Sequence, residues 1–396
     1  MNGFDTIVLG LGATGSAALY QLARRGSKVL GIDRYSPPHA YGSSHGETRI
    51  TRLAIGEGAH YTPLAIRSHE LWREIERQTG CELLMCNGGL IISSSAKTAK
   101  THVEHFFSNT VEAARKYGIA HEFLDAAAIR RRFPAFNVDD DEVGYFERDA
   151  GFLRPEQCVD AQLGLARDFG ATIVCGQTVE RFDARDRGVT VTTDRGTYAA
   201  ATLVIAAGPW LPALVDRDLA QHFAVYRQTL YWFAVDGDAA AFAPDRFPVF
   251  IWELKGRRQG VYGFPAIDGA AGGIKIGTES FDATTTADDV DRNVPLGDSD
   301  VVYDDYIAPF VRGVSRRCIK TATCLYTVTP DFGFVVDRHP ASERVIIVSP
   351  CSGHGFKHSP AIGEALAQWI VDGESVVDLR PFRLSRLRAD ATATRG

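Results

Sequence analysis

The sequence predicts an α/β fold in two domains, and three observations predict it. At 396 residues the chain is long for one hydrophobic core. It opens with a buried strand, a glycine turn, a helix and a second buried strand within its first 33 residues. Far downstream, "YAAATLVIAAGPW" (198–210) and "ERVIIVSPCSGHG" (343–355) read as buried strands running into glycine loops.

The opening unit is the most informative. "DTIVLG" (5–10) is a short apolar run of the kind buried on both faces, and "SKVLGID" (27–33) is a second one ending in Asp33. Between them "GLGATG" (10–15) leads into the helix-forming "SAALYQLARRG". Gly10 allows the tight turn, Gly12 lets backbone approach a pyrophosphate, and Gly15 lets the helix pack on the strand. The helix N-terminus offers its free N–H groups to phosphate. Asp33 is placed to accept hydrogen bonds from an adenosine ribose, which disfavours a 2′-phosphate and leaves NAD or FAD.

The next downstream element, "GVTVTTDRGTYAAATLVIAAG" (188–208), alternates and turns like a hairpin and ends at Gly208. Between the two halves, "RYSPPHAYGSSHGETRITR" (34–52) is a polar loop rich in Gly and Ser, carrying His45, Glu47, Arg49 and Arg52. In a helical stretch Arg49 and Arg52 would share one face.

Composition bounds the partners. A net charge of −6, with Lys and Arg scattered, argues against nucleic acid. The seven cysteines, an odd count without C-x-x-C, suggest a reducing compartment without a disulfide framework or a metal site. The start lacks a basic n-region and no run reaches membrane-spanning length, so the expectation is a cytoplasmic protein.

Four stretches carry a family resemblance. "PPHAYGSSHGETRITRLAIGEGAHYTPLAIRS" (37–68), "VYGFPAIDGAAGGIKIG" (261–277), "CLYTVTPDFGFVVDRHP" (324–340) and "CSGHGFKHSPAIGEALAQWIVDG" (351–373) resemble, in order, segments of the sarcosine oxidase family. That family includes N-methyltryptophan oxidase and lies within the D-amino acid oxidase superfamily. The resemblance implies a fold like p-hydroxybenzoate hydroxylase: a Rossmann-like FAD domain (1–84, 151–216 and 326–396) interleaved with a mixed-sheet substrate domain (85–150 and 217–325). It also implies a monomer with FAD as cofactor and O₂ as oxidant.

The resemblance assigns residues as well. Cys324 matches the cysteine that links the flavin, and Arg316, Arg317 and Lys320 upstream are candidates to activate its thiol. A lone cysteine is otherwise a small buried hydrophobe. Lys275, in the apolar glycine-flanked "GGIKIG", matches the lysine that activates O₂, a task suited to a fixed cation. Arg52 and Lys357 match the pair that clamps the substrate carboxylate. Arg49 and His45 match residues beside the flavin ring, and Tyr262 and Tyr326 match walls of the substrate pocket. Ser43, Ser44, Gly208, Gly353, Gly355 and Phe356 fall at the cofactor, and the 359–373 helix would aim its N-terminus there.

Departures cluster around the pocket. Where the sarcosine-specific branch has a substrate-touching histidine after the lysine, this chain has Glu279. Ser44 replaces the first of a histidine pair, Ile55 replaces an aromatic residue, and the loop before "GGIKIG" is longer. The expectation is an FAD-dependent oxidase of a carboxylate-bearing secondary amine, with sarcosine itself not implied. Two alternatives are an oxidase of a cyclic imino acid or pathway intermediate, and a flavin dehydrogenase that passes electrons to a carrier.

Overall fold

A computed structural model describes residues 3–99, 101 and 103–387. The ends of the expected FAD domain, 1–2 and 388–396, lie outside the described residues. The opening unit folds as β1 (Phe4–Leu9), α1 (Ala13–Arg24) and β2 (Val29–Asp33). β1 is central in an eight-stranded sheet, flanked in parallel by β2 and by the strand Gly196–Ile205. Thr172–Cys175 adds beyond β2, and Ser342–Ser349 lies parallel beside the end of Gly196–Ile205. The strands Val179–Arg185 and Gly188–Thr193 join as an antiparallel extension. Strands buried on both faces need apolar residues at consecutive positions, which is why Ile7, Val8, Leu30 and Ile32 are all inaccessible.

A nine-stranded mixed sheet forms the other half. Its longest pairing joins Ala224–Val235 to Val314–Val328, the strand that carries Cys324. Ile274–Thr278, which carries Lys275, pairs on the other side of Ala224–Val235 and then with Val261–Phe264. Phe136, Phe250 and Trp252 pack into the core on this sheet, while Leu19, Trp72 and Phe334 belong to a separate core around α1.

A small three-stranded sheet, Arg49–Thr51, Gly151–Leu153 and Leu84–Met85, lies outside the two large ones. Arg49 is therefore in a strand, and the helical face imagined for Arg49 and Arg52 does not form. The closing helix is Ser359–Val371, preceded by a turn at Phe356–His358. No helix among the described residues is long and apolar enough to cross a membrane.

Candidate active site

The glycine turn at the end of β1 leaves no room for a side chain at Gly10 or Gly15. Gly10 has φ +84°, and a Cβ on Gly15 would stand 1.7 Å from the Gly10 carbonyl oxygen. α1 starts at this turn with no side-chain cap from Gly12, while the Ser44 hydroxyl accepts from Ala13 N–H at 3.2 Å. Asp33 ends β2 with its carboxylate accepting from the Leu11 and Tyr35 N–H groups, at 2.7 and 2.8 Å.

From this turn a cavity of about 430 Å³ extends between the two large sheets. Gly10, Gly12, Asp33, Ser43, Ser44 and Gly208 line one stretch of it. Arg49, Lys275, Cys324, Gly353, Gly355 and Phe356 line it further on, together with Arg52, Tyr262, Glu279, Tyr326 and Lys357. Gly15 is not on the wall; it serves the helix–strand contact beneath. The first residue of the closing helix is not on the wall either, because the Phe356–His358 turn intervenes.

Cys324 is 1% exposed, and the cation against its sulfur is Arg49, whose Nη2 lies 3.5 Å from Sγ. The same nitrogen donates to the Ser43 carbonyl at 2.8 Å. The three upstream cations expected to act on the thiol do not reach it. Arg316 pairs with Asp300 and Asp304, Lys320 pairs with Glu47, and Arg317 is exposed. Extended chain advances about 3.3 Å per residue, so cations four to eight residues along one strand stand roughly 13–26 Å away.

Lys275 is 2% exposed and does not snorkel to solvent. Its Nζ donates to the Gly46 and Thr48 carbonyls at 2.8 and 2.7 Å, and the Phe264 ring centroid lies 4.0 Å away. Burial, then the Arg49 charge, pulls its ammonium well below the usual lysine range.

His45 is set apart from Arg49. It is buried but is not among the cavity-lining residues, and its Nε2 has no hydrogen-bond partner among the described residues. Burial and the neighbouring Arg49 charge take its imidazole down to about 3. The chain reverses through Gly46 at φ +96° and Glu47 at φ +69°, which leaves His45 behind the wall while Thr48 and Arg49 reach it.

The two carboxylate-clamp candidates come from distant segments and share the wall. Arg52 is 4% exposed, and its Nη2 is 2.6 Å from Glu57 Oε2. The remaining terminal nitrogen, Nη1, donates to the Ala54 carbonyl at 3.2 Å. Lys357 Nζ donates to the His354 carbonyl at 2.7 Å, and burial lowers it to about 7 against the raising effect of Glu57. Tyr262 and Tyr326 are hydrogen-bonded neighbours, and burial raises both phenols. Glu279 faces this pair across the loop at Gly353, where a Cβ would come within 3.2 Å of its Oε1.

Two carboxylates that the sequence reading did not single out as site residues shape the wall. Glu57 holds Arg52. Glu147, 1% exposed, accepts from the N–H groups of Leu53 and Ala54 at 2.6 and 3.1 Å and so fixes the backbone just after Arg52.

Residues 5–369 match the family model described as FAD dependent oxidoreductase. The chain is a member of that family. The wall fits the cofactor: a tight glycine turn at a helix N-terminus, an acid at the end of β2, and a cavity that runs from that turn and is lined by a thiol. Among relatives, the chain is 38% identical to monomeric sarcosine oxidase of Streptomyces avermitilis over 98% of both chains. It is 36% identical to N-methyl-L-tryptophan oxidase of Salmonella dublin, over 97% of this chain and 99% of that one. The solved structure of NikD, an unusual amino acid oxidase essential for nikkomycin biosynthesis, superposes with a TM-score of 0.81 at 24% identity, covering 97% of this chain and 98% of that one. These likenesses make the molecule an FAD-dependent oxidoreductase of the sarcosine oxidase and N-methyltryptophan oxidase group.

Proposed function

We propose that this FAD-dependent oxidoreductase oxidises the C–H bond beside the nitrogen of a secondary amine that bears a carboxylate, with O₂ as electron acceptor. The observation that carries this reading is the pair of buried cations, Arg52 and Lys357, on the same cavity wall as Cys324 and Lys275. Bound FAD supplies the two-electron chemistry. The Gly10–Gly12 turn and the N-terminus of α1 would hold its pyrophosphate and Asp33 its ribose, and Cys324 is the residue that would link it covalently.

Arg52 and Lys357 bind the substrate carboxylate and thereby fix the amine for reaction. Tyr262 and Tyr326 wall the pocket and exclude water. The amine reacts in its neutral form, so turnover rises with pH as the bound amine loses its proton. Lys275 presents a positive charge to O₂ as it is reduced. An N-methyl amino acid would yield the amino acid, formaldehyde and H₂O₂. The FAD domain is taken as 1–84, 151–216 and 326–396 and the substrate domain as 85–150 and 217–325. Membership of the two large sheets supports this division, although the end of Val314–Val328 crosses it and Leu84–Met85 straddles it in the small sheet.

The test is turnover of a panel of N-methyl and cyclic amino acids, with formaldehyde and H₂O₂ both measured. Formaldehyde from an N-methyl amino acid supports the reading, and peroxide without formaldehyde moves the substrate to a ring amine. FAD-loaded protein that consumes no O₂ with any of them overturns it. Acid precipitation should leave the yellow colour in the pellet, and Cys324→Ala should release it to the supernatant.

A further inference from the structure

Lys275 is a buried ammonium whose two hydrogen-bond acceptors are neutral carbonyls. Burying a charge without an opposite charge is costly, so the compensating group has to be close by. It lies on the far side of one peptide unit. The carbonyl of the Gly46–Glu47 peptide accepts from Lys275 Nζ at 2.8 Å, while the N–H of the same peptide donates to Glu156 Oε1 at 3.1 Å. The preceding Gly46 N–H donates to the same oxygen at 2.6 Å. The peptide dipole is thus held between a carboxylate at its N–H end and an ammonium at its C=O end, each polarising it in the sense that favours the other.

Local structure commits the turn to this orientation. Gly46 sits at φ +96°, where a Cβ would also meet Leu230 Cδ1 at 2.7 Å, and Glu47 follows at φ +69°. The Glu47 side chain leaves the turn to pair with Lys320. Glu156 is held in the first turn of the helix Pro155–Asp168 and is not on the cavity wall.

We propose that Glu156 is a positioning residue for Lys275, holding the ammonium at the cavity wall through the Gly46–Glu47 peptide and supplying the opposite charge behind it. This rests on the reading of Lys275 as the cation presented to O₂. The charged and titratable groups facing Lys275 are Arg49, Glu156, Cys324, Glu47 and His45. Among the acidic ones Glu156 acts on it most strongly, and Arg49 opposes it.

The experiment compares wild-type holoenzyme with Glu156→Gln and Lys275→Met by two readouts. One is the rate at which substrate-reduced enzyme is reoxidised by O₂, followed against pH and separately from the rate of reduction by substrate. The other is NMR of ¹³Cε-lysine protein, with the Lys275 signal identified by its loss in Lys275→Met. For Glu156→Gln the expected result is reoxidation slowed roughly tenfold, the equivalent of one unit in pKa. Reduction stays within about twofold, and the Lys275 signal titrates at lower pH.

If Lys275→Met leaves reoxidation unchanged, the role of Lys275 falls and the inference built on it falls with it. If Lys275→Met slows reoxidation but Glu156→Gln changes neither reoxidation nor the Lys275 titration, the Glu156 inference alone is overturned. Should the Gln variant not accumulate as folded protein, Glu156→Asp retains the charge but withdraws it by one methylene. A downward shift of the Lys275 titration then supports the inference, and an unchanged titration overturns it.

Discussion

Arg52 and Glu57 form a buried ion pair on the cavity wall, 2.6 Å from Nη2 to Oε2, with both side chains about 5% exposed or less. Removing one partner of such a pair leaves a bare buried charge and typically costs about 3–5 kcal/mol. Glu57→Gln should therefore lower the melting temperature clearly. A substrate carboxylate would take over part of the role of Glu57, so a saturating carboxylate ligand should raise the melting temperature of the variant more than that of the wild type. Equal shifts in a thermal unfolding assay would show that Arg52 does not meet the ligand.

Lys357 gives a prediction in pH. Its ammonium is lowered to about 7 by burial. Between about pH 7 and the ordinary lysine value near 10.4, the unfolded chain binds the extra proton and the folded one does not. Stability should accordingly rise with pH through that window, the contribution being lost as pH falls to about 7. Carboxylate binding has the opposite sign, because the ligand needs the protonated amine. The dissociation constant of a simple carboxylate inhibitor should increase above about pH 7 in the wild type, and that dependence should flatten in Lys357→Met.

Gly15→Ala should abolish cofactor retention. A methyl group there would stand 1.7 Å from the Gly10 carbonyl oxygen, so the turn has to open and α1 to move off β1. Absorbance near the flavin bands after purification, with circular dichroism as a control for folding, measures the outcome. Ala variants at Gly164 or Gly196, where a Cβ meets nothing within 4 Å, should keep the colour.

Glu279 lies against the Tyr262–Tyr326 pair and acts electrostatically on Lys357. If it sets substrate choice, Glu279→Gln should lower kcat/KM for N-methyl amino acids with a cationic or donor side chain by roughly tenfold or more, a charge-assisted hydrogen bond being worth about 1.5–3 kcal/mol. Small uncharged substrates should change little. A uniform change across the panel would remove Glu279 from the specificity account.

What the sequence reading captured was local. Strand, glycine turn, helix and terminal acid lie within one short stretch, and Lys275 stood out because an apolar strand is a costly place for an amine. What it missed was contact between distant residues. Glu156 meets Gly46 across 110 positions, and Glu147 meets Leu53 across 94, so no spacing reveals either pairing. Assigning the thiol's cation to Arg316 or Lys320 failed for the converse reason. Neighbours along an extended strand are far apart in space, and Arg49 reaches Cys324 from another sheet. That His45 lies off the cavity wall was not legible, because a reversal at two positive φ angles cannot be read from the letters G and E alone.

The order of segments around the cavity has a consequence for biosynthesis. β1 opens the chain, yet its parallel neighbour Gly196–Ile205 emerges much later, and the wall is closed only by residues 348–357. At about 5–20 residues per second, the ribosome needs roughly 17–70 s to pass from the first glycine turn to the last loop. During that interval the nucleotide-binding turn exists without the far side of its site. The opening sheet can pair β1 with β2 at once and with Gly196–Ile205 midway, but the complete cofactor wall exists only after residues 348–357 have been made.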